Sequence, residues 1–251
     1  MGKDDAIIKV EGLSAAYGDT VILKDISFEV KRGEIFVILG GSGCGKSTLL
    51  KHMIGLKPLA AGKVLLEGEN LTEAQGADRD RLLRRIGVTY QSGALFGSLT
   101  LTENVTLPME EFTTLPREAQ KVIAWMKLKV VGLEDYGDSL PAEVSGGMQK
   151  RAGLARAMVL DPNVLFLDEP SAGLDPVTSA DLDALILRLR DLLGVTFVIV
   201  THELPSIYAI ADRVIMLDKE TKGIIAEGDP NELREKSDNE FVRKFFRREA
   251  E

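Results

Sequence analysis

An α/β fold, in which a mostly parallel sheet carries helices and accepts a helical insertion, is predicted by three features of the sequence. One is an unbroken apolar run, residues 35–39, that passes directly into a glycine-rich loop and then into helix-patterned residues. Another is a pair of similar runs at residues 164–167 and 196–200. Strands of this kind have no water-facing side, so they belong in a parallel sheet covered on both faces. The last is a helix-patterned stretch, residues 103–160, lying between the first run and the other two, which reads as an inserted subdomain.

Bulk properties limit the function classes. The 251 residues suffice for one well-packed domain, or one domain with a subdomain. A net charge of −8 argues against nucleic acid as the main partner, because nucleic-acid binding needs a basic face. One cysteine excludes an internal disulfide framework, and with two histidines there is no Cys/His cluster for structural zinc. The charged opening residues do not resemble a signal peptide. The longest apolar runs are strand-sized, well short of the roughly 20 residues that cross a bilayer.

Along the chain, residues 7–10 and 21–30 read as strands joined through Tyr17-Gly18-Asp19, a turn signal. Residues 31–33 turn into the first buried strand. After the glycine loop, residues 47–56 read as a helix that stops near Gly55 and Pro58, and residues 62–71 as one further strand. Residues 78–85 are a charged stretch. Within the helical region, Trp125 shares an apolar helix face with Val122 and Met126, next to Lys129. Residues 239–251 form an amphipathic tail helix with Phe241, Val242, Phe245 and Phe246 on one side. Left uncovered, that stripe would be an aggregation hazard, so it is expected to pack on its own domain or, failing that, on a partner.

The chemistry begins with Gly40-Gly41-Ser42-Gly43-Cys44-Gly45-Lys46-Ser47, which fits G-x-x-x-x-G-K-[ST] in the strand–loop–helix context that gives the pattern its meaning. Glycines let successive backbone N–H groups converge on phosphate oxygens, and the helix that follows directs its positive end at the same anion. Lys46 is expected to neutralise the β- and γ-phosphates and the Ser47 hydroxyl to ligate Mg²⁺. Cys44 occupies a position the pattern leaves free. It reads as a small filler, yet alkylating it is expected to block nucleotide binding, with ATP protecting.

Asp168 closes a buried strand and Glu169 follows. Acids at the carboxyl end of a parallel strand stand where ligands bind in such sheets. Two adjacent carboxylates stay ionised only beside a cation, so Asp168 is the expected Mg²⁺ holder and Glu169 the group that polarises water. A solvated acid pair is the bland alternative. His202 also follows a buried strand, within reach of a γ-phosphate, though a lone histidine is as readily structural. His52, on the helix after the loop, reads as structural.

Seven motifs in order make the chain resemble the ATP-binding subunits of ABC transporters over nearly its whole length. Tyr17 matches the aromatic residue that stacks on adenine. Residues 40–48, ending in Thr48, match the Walker A loop, and Gln91 the glutamine linking Mg²⁺ and water to the permease. Val144-Ser145-Gly146-Gly147-Met148 matches the signature, Asp168-Glu169 the Walker B pair, residues 171–175 ending in Asp175 the D-loop, and His202 the switch histidine. Val144 and Met148 depart from the usual Leu-Ser-Gly-Gly-Gln, and Met148 cannot make a glutamine's hydrogen bonds.

This resemblance implies a P-loop NTPase (RecA-like) core with an antiparallel β-subdomain and an inserted α-helical subdomain. The cassette would span residues 5–238, with the helical part at about 92–160 and the tail at 239–251. It implies a homodimer holding two ATP, in which each loop faces the other subunit's Ser145, Gly146 and Gly147. Glu169 would be the general base and His202 the γ-phosphate sensor. Residues 90–100, and 144–152 with the run through Ala157, are further similar to the ATPases of Mla/Mce-type lipid transport systems. That similarity implies an integral-membrane permease, a Mce-type substrate-binding protein, a small accessory subunit, and a peripheral place on the cytoplasmic face of the inner membrane. A soluble ATPase of the iron–sulfur-cluster assembly type and the ATPase of a small polar-solute importer are the competing readings.

Overall fold

The computed structural model describes residues 6–249 except Asp19 and Ser92. Asp5 at the start of the expected cassette, Asp19 of the turn, Ser92 and the last two tail residues therefore lie outside the described residues.

The chain opens with a long antiparallel pair, β1 (Ala6–Tyr17) and β2 (Thr20–Lys31). Both strands run longer than residues 7–10 and 21–30 suggested, because bulges carry the pairing past Gly12 and Ser14. Residues 62–71 are two strands rather than one. β4 (Ala61–Leu66) pairs with β1, then turns through Glu67 and Gly68 into the short β5 (Glu69–Asn70). Glu67 at φ 52° and Gly68 at φ 81° have the left-handed backbone of a two-residue hairpin turn. Together these strands form an antiparallel sheet in the order β2-β1-β4-β5.

A second sheet is built from β3 (Ile35–Gly40), β6 (Ile86–Thr89), β7 (Val164–Asp168), β8 (Thr196–Val200), β9 (Arg213–Leu217) and β10 (Ile224–Gly228), in the order β10-β9-β3-β8-β7-β6. All neighbours are parallel except β10, which runs antiparallel to β9. Every residue of β3, β7 and β8 is buried, and alternate residues enter two different cores. Phe36, Ile38, Val164, Phe166, Val198 and Val200 face the antiparallel sheet and helix α1 (Lys46–Met53). Ile35, Val37, Leu39, Leu165, Leu167, Phe197 and Ile199 face the remaining helices. This two-sided burial is why the strands read as unbroken apolar runs.

The charged residues 78–85 mostly fold as α2 (Gly76–Leu83). Between β6 and β7 the chain forms α3 (Leu101–Phe112), α4 (Arg117–Val130) and α5 (Gly146–Ala157). A capping box starts α3: the Thr100 hydroxyl accepts from Glu103 N, and the Glu103 carboxylate accepts from Thr100 N. One turn later the fully buried Asn104 knits the preceding loop together. Its Oδ1 accepts from Phe96 N at 2.7 Å, and its Nδ2 donates to the carbonyls of Phe96, Leu99 and Thr100 at 3.0–3.1 Å. On α4 the inward face is Gln120, Ala124 and Leu128. The apolar face with Val122, Trp125 and Met126 points outward, Trp125 being 46% exposed with the Lys129 ammonium 4.9 Å above its ring.

After β7 come α6 (Pro176–Leu193) and α7 (Leu204–Ile210), and after β10 come α8 (Pro230–Lys236) and α9 (Glu240–Arg247). Most of the tail stripe is covered by its own chain, while Phe241 stays 38% exposed. Val242 and Phe246 are buried in the helix-side core, Phe245 meets Phe246 edge-on at 5.5 Å, and the Tyr208 hydroxyl donates to the Phe246 carbonyl at 2.7 Å. Burying one such phenylalanine contributes roughly 2–3 kcal/mol, which holds a helix too short to persist alone. Among the described residues no helix is long and apolar enough to cross a membrane.

Candidate active site

Four neighbouring parallel strands, β3, β8, β7 and β6, end on the same side of the sheet, and each delivers a candidate residue. The glycine loop leaves β3, His202 follows β8, Asp168 and Glu169 end β7, and Gln91 lies just past β6. Register fixes this alignment, since Ile38 and Asp168 both pair with Val200, and Leu167 pairs with Thr89. Carboxyl ends of parallel strands are where open α/β sheets place ligands.

The loop's glycines answer a geometric demand. Gly40 has φ 146°, and a Cβ there would stand 2.4 Å from the Leu217 carbonyl oxygen and 2.7 Å from Cys44 Sγ. Gly45 has φ 103°, and a Cβ there would meet the Leu23 side chain at 2.9 Å. Gly41, Ser42 and Gly43 are exposed and leave the concave side of the loop open. No side chain caps the N-terminus of α1 and no acid lies in its first turn, so the leading N–H groups remain free for an anion. Lys46 folds over the loop, donating to the carbonyls of Gly40 at 2.8 Å and Gly41 at 3.1 Å. Thr48, like Ser47, is half-buried in the first turn of α1.

Cys44 is 2% exposed, and burial pushes its thiol above the ordinary range, against the pull of the nearby Lys46 charge. Only the thiolate reacts appreciably, so burial fits the small-filler reading of Cys44 and is expected to make its alkylation slow.

The acids are tied to the loop. Ser47 Oγ donates to Asp168 Oδ1 at 3.3 Å. Burial raises the Asp168 carboxyl above its ordinary range and the charge of Glu169 adds to this, while the Ser47 hydroxyl and the ammonium groups of Lys51 and Lys46 oppose it. A buried acid under that pressure, one hydroxyl away, suits a hard cation that takes few protein ligands and completes its shell with phosphate and water, as Mg²⁺ does.

Glu169 has φ 49°, a left-handed backbone that costs a non-glycine residue about 1–2 kcal/mol. The bond from Glu169 N to the Val200 carbonyl at 2.8 Å helps hold it there. His202 Nδ1 lies 2.8 Å from Glu169 Oε1, and because an ionised carboxylate only accepts, Nδ1 is the donor. Glu169 Oε2 is buried with no hydrogen-bond partner among the described residues. One oxygen is thus held while the other can accept a proton.

The remaining candidates are more peripheral. Tyr17 is exposed at the end of β1, with the Lys57 ammonium 5.4 Å from its ring centroid. Gln91 is exposed. Ser145 caps α5, its Oγ accepting from Met148 N at 3.3 Å, and Ser145 and Gly146 are exposed. A Cβ on Gly147 would come within 2.5 Å of Thr178 Cγ2, so that glycine lets the start of α5 approach the start of α6. Val144 and Met148 pack against the helix-side core, which accounts for the apolar departures in the motif. The Asp175 carboxylate is occupied as the cap of α6, accepting from the N–H groups of Val177 and Thr178 at 3.0 Å. His52 is structural: its Nδ1 lies 3.1 Å from the Lys57 carbonyl oxygen, inside the fold. Sequence reasoning passed over Lys150, whose ammonium contacts the carbonyls of Gln91 and Glu169. Its only signal was a cation one turn into the signature helix.

Comparison with known proteins agrees with this geometry. Residues 23–172 match the family model described as ABC transporter. The chain is 39% identical over 239 residues to a Mycobacterium leprae protein named "Probable ribonucleotide transport ATP-binding protein mkl", covering 95% of this chain and 68% of that one. It is 36% identical over 245 residues to MlaF of Haemophilus influenzae, named an intermembrane phospholipid transport system ATP-binding protein, covering 98% and 92%. Among solved structures, cbiO1 from Clostridium perfringens, part of an ABC transporter complex, superposes with a TM-score of 0.83 at 32% identity, covering 96% of this chain and 94% of that one. A dimeric post-hydrolysis state of the cassette MJ0796, bound to ADP and Pi, does so at 0.79 and 28%, covering 88% and 98%. The chain belongs to the ABC transporter family, as one of its ATP-hydrolysing subunits.

Proposed function

We propose that two copies of this chain close around two ATP molecules and that hydrolysis reopens them, driving a membrane permease that moves phospholipid or a similar hydrophobic molecule. In this reading the loop of residues 40–48 cradles the phosphates, Lys46 neutralises them and Tyr17 stacks on the base. The Ser145-Gly146-Gly147 nest of the opposite subunit covers the γ-phosphate, with Asp175 beside it. The open Ser145 and Gly146 at the start of a capped helix support this assignment, since they present backbone N–H groups outward. Ser47, Asp168 and Gln91 would hold Mg²⁺, which supplies positive charge to the β- and γ-phosphates. Glu169 takes a proton from water as its oxygen attacks the γ-phosphorus, and the bond to the ADP oxygen breaks to release phosphate. His202 orients Glu169 through the 2.8 Å bond and stands toward the γ-phosphate. An ATP bound by both subunits favours the closed pair, and losing its terminal phosphate removes that preference.

The observation that supports the dimer is the likeness to a cassette that is itself dimeric and bound to ADP and Pi. Ser145→Arg is expected to abolish the ATP-dependent dimer while leaving nucleotide affinity of the monomer within about twofold, since the added side chain blocks only the facing surface. Light scattering with and without ATP reads this, and a normal dimer would remove the cross-subunit assignment.

The cargo rests on the 36% identity to the phospholipid-transport protein over 98% of this chain. The mycobacterial relative, named for ribonucleotide transport, favours a polar cargo as the second reading. Both relatives are transport proteins by name, which favours a transporter over iron–sulfur assembly. The subunit would sit peripherally on the cytoplasmic face of the inner membrane, with a Mce-type binding protein and a small accessory subunit completing the system. Recovered from native membranes, it is expected to bring a polytopic protein that, in vesicles, moves labelled phospholipid only with ATP. Transport of a nucleotide instead would select the second reading.

A further inference from the structure

The signature helix α5 does more than present Ser145. Lys150, Gly153 and Arg156 recur every three residues and so share one face of that helix. This face lies on the segment that begins at Gln91. The Lys150 ammonium donates to the Gln91 carbonyl and, at 3.3 Å, to the Glu169 carbonyl. Arg156 donates to the carbonyls of Ala94 at 2.7 Å and Gly93 at 2.9 Å. Between them the two backbones touch: a Cβ on Gly153 would lie 3.1 Å from the Gly93 oxygen, and one on Gly93 would lie 3.2 Å from the Gln149 oxygen.

Both cations pair with main chain alone. Neither has a carboxylate within 4 Å among the described residues, and burial lowers the pKa of each. For Lys150 the charges of Glu169 and Asp168 oppose that shift. Two half-buried cations turned toward carbonyl groups make a charge-assisted clamp whose partners are positions in the backbone rather than exchangeable side chains.

We infer that Lys150 is a positioning residue that fastens the signature helix to the Gln91 and Glu169 backbone of its own subunit, so that seating Ser145 on the partner's ATP sets the hydrolytic geometry of its own ATP. The inference rests on the cross-subunit reading of the signature. The consequence is specific. In each subunit, the helix that senses the neighbour's nucleotide and the carbonyl of the residue that activates water share one ammonium. Glu169 already holds a left-handed backbone, so a small displacement of its carbonyl is expected to change where its carboxylate stands.

The test uses the full chain with Lys150→Met, which keeps length and removes the donors, and Lys150→Arg, which keeps charge and two-carbonyl reach. Lys150→Met is expected to lower kcat about tenfold, about 1.4 kcal/mol. KM for ATP should stay within about twofold because Lys150 does not touch the loop of residues 40–48. The Hill coefficient for ATP should fall from about two toward one as the sites uncouple. Lys150→Arg should restore most of kcat and the cooperativity, at a melting temperature equal to that of Lys150→Met. The idea is overturned if Lys150→Met keeps the parent kcat and Hill coefficient, or if Lys150→Arg is as impaired as Lys150→Met. If Lys150→Met does not fold, Lys150→Gln takes its place under the same criteria. A Glu169→Gln background separates the two layers. No ATP-dependent dimer with Lys150 intact removes the cross-subunit reading itself, whereas a dimer that forms with and without Lys150→Met keeps that reading, so that parent kcat and Hill coefficient in Lys150→Met then overturn the coupling alone.

Discussion

Glu169→Gln is expected to retain ATP and to stop splitting it. The change keeps the side chain's length and leaves an oxygen able to accept from His202 Nδ1, so the bond now at 2.8 Å has a replacement. What disappears is the negative oxygen able to take a proton, which at present is the buried, unpartnered Oε2. Removing a general base lowers turnover by about 10²- to 10⁴-fold, and affinity for ATP should change little because the proposed phosphate contacts are the loop and Lys46 rather than Glu169. Closure would no longer be undone by loss of the γ-phosphate, so a species of twice the mass should accumulate with ATP and vanish with ADP. Turnover at the parent rate would mean that another group activates the water. Nothing else along β7 and β8 stands so well placed, since Asp168 is already committed to Ser47.

Lys46→Ala is expected to remove tight nucleotide binding. The ammonium now rests on two carbonyl oxygens, those of Gly40 and Gly41, at the lip of a loop otherwise made of N–H donors. It is thus a full positive charge held at the loop, and it is expected to exchange those carbonyls for phosphate oxygens when nucleotide enters. A charged hydrogen bond is worth about 1.5–3 kcal/mol, so its loss should weaken ATP by about 10- to 150-fold. Titration calorimetry at a temperature well below melting reads this directly. Unchanged affinity would place the phosphates somewhere other than this loop. The alanine also leaves the Gly40 and Gly41 carbonyls without their donor, so a small drop in melting temperature should accompany the loss.

Much of the scaffold was legible because its signals are local. The run from Ile35 through Gly45 is a strand, a loop and a helix start read in order, and the structure keeps that order. Asp168, Glu169 and His202 were found by the same reasoning, as polar residues directly after unbroken apolar runs. What escaped was set by distant neighbours. β6, β9 and β10 are strands because of the partners they meet, and residues 86–89 alone show too little alternation to declare it. The split of residues 62–71 turns on two left-handed residues, Glu67 and Gly68, only one of which is a glycine. Trp125 stands on the apolar face that the spacing shows, yet its helix turns Ala124 and Leu128 inward instead. Lys150 looked like any solvated cation until the backbone of Gln91 and Glu169 was brought to it across 59 and 19 residues of chain. The apolar Met148, a mismatch when read as a motif, is explained once the core behind it is visible.

The buried Asn104 has one more effect. A single amide satisfies both ends of the Phe96–Thr100 turn, so that turn has already surrendered its conformational freedom before anything touches it. Phe96, 58% exposed at its start, accordingly stands on a fixed backbone rather than a flexible tether. Whatever protein comes to rest there meets a preset shape and need not spend binding energy on ordering it.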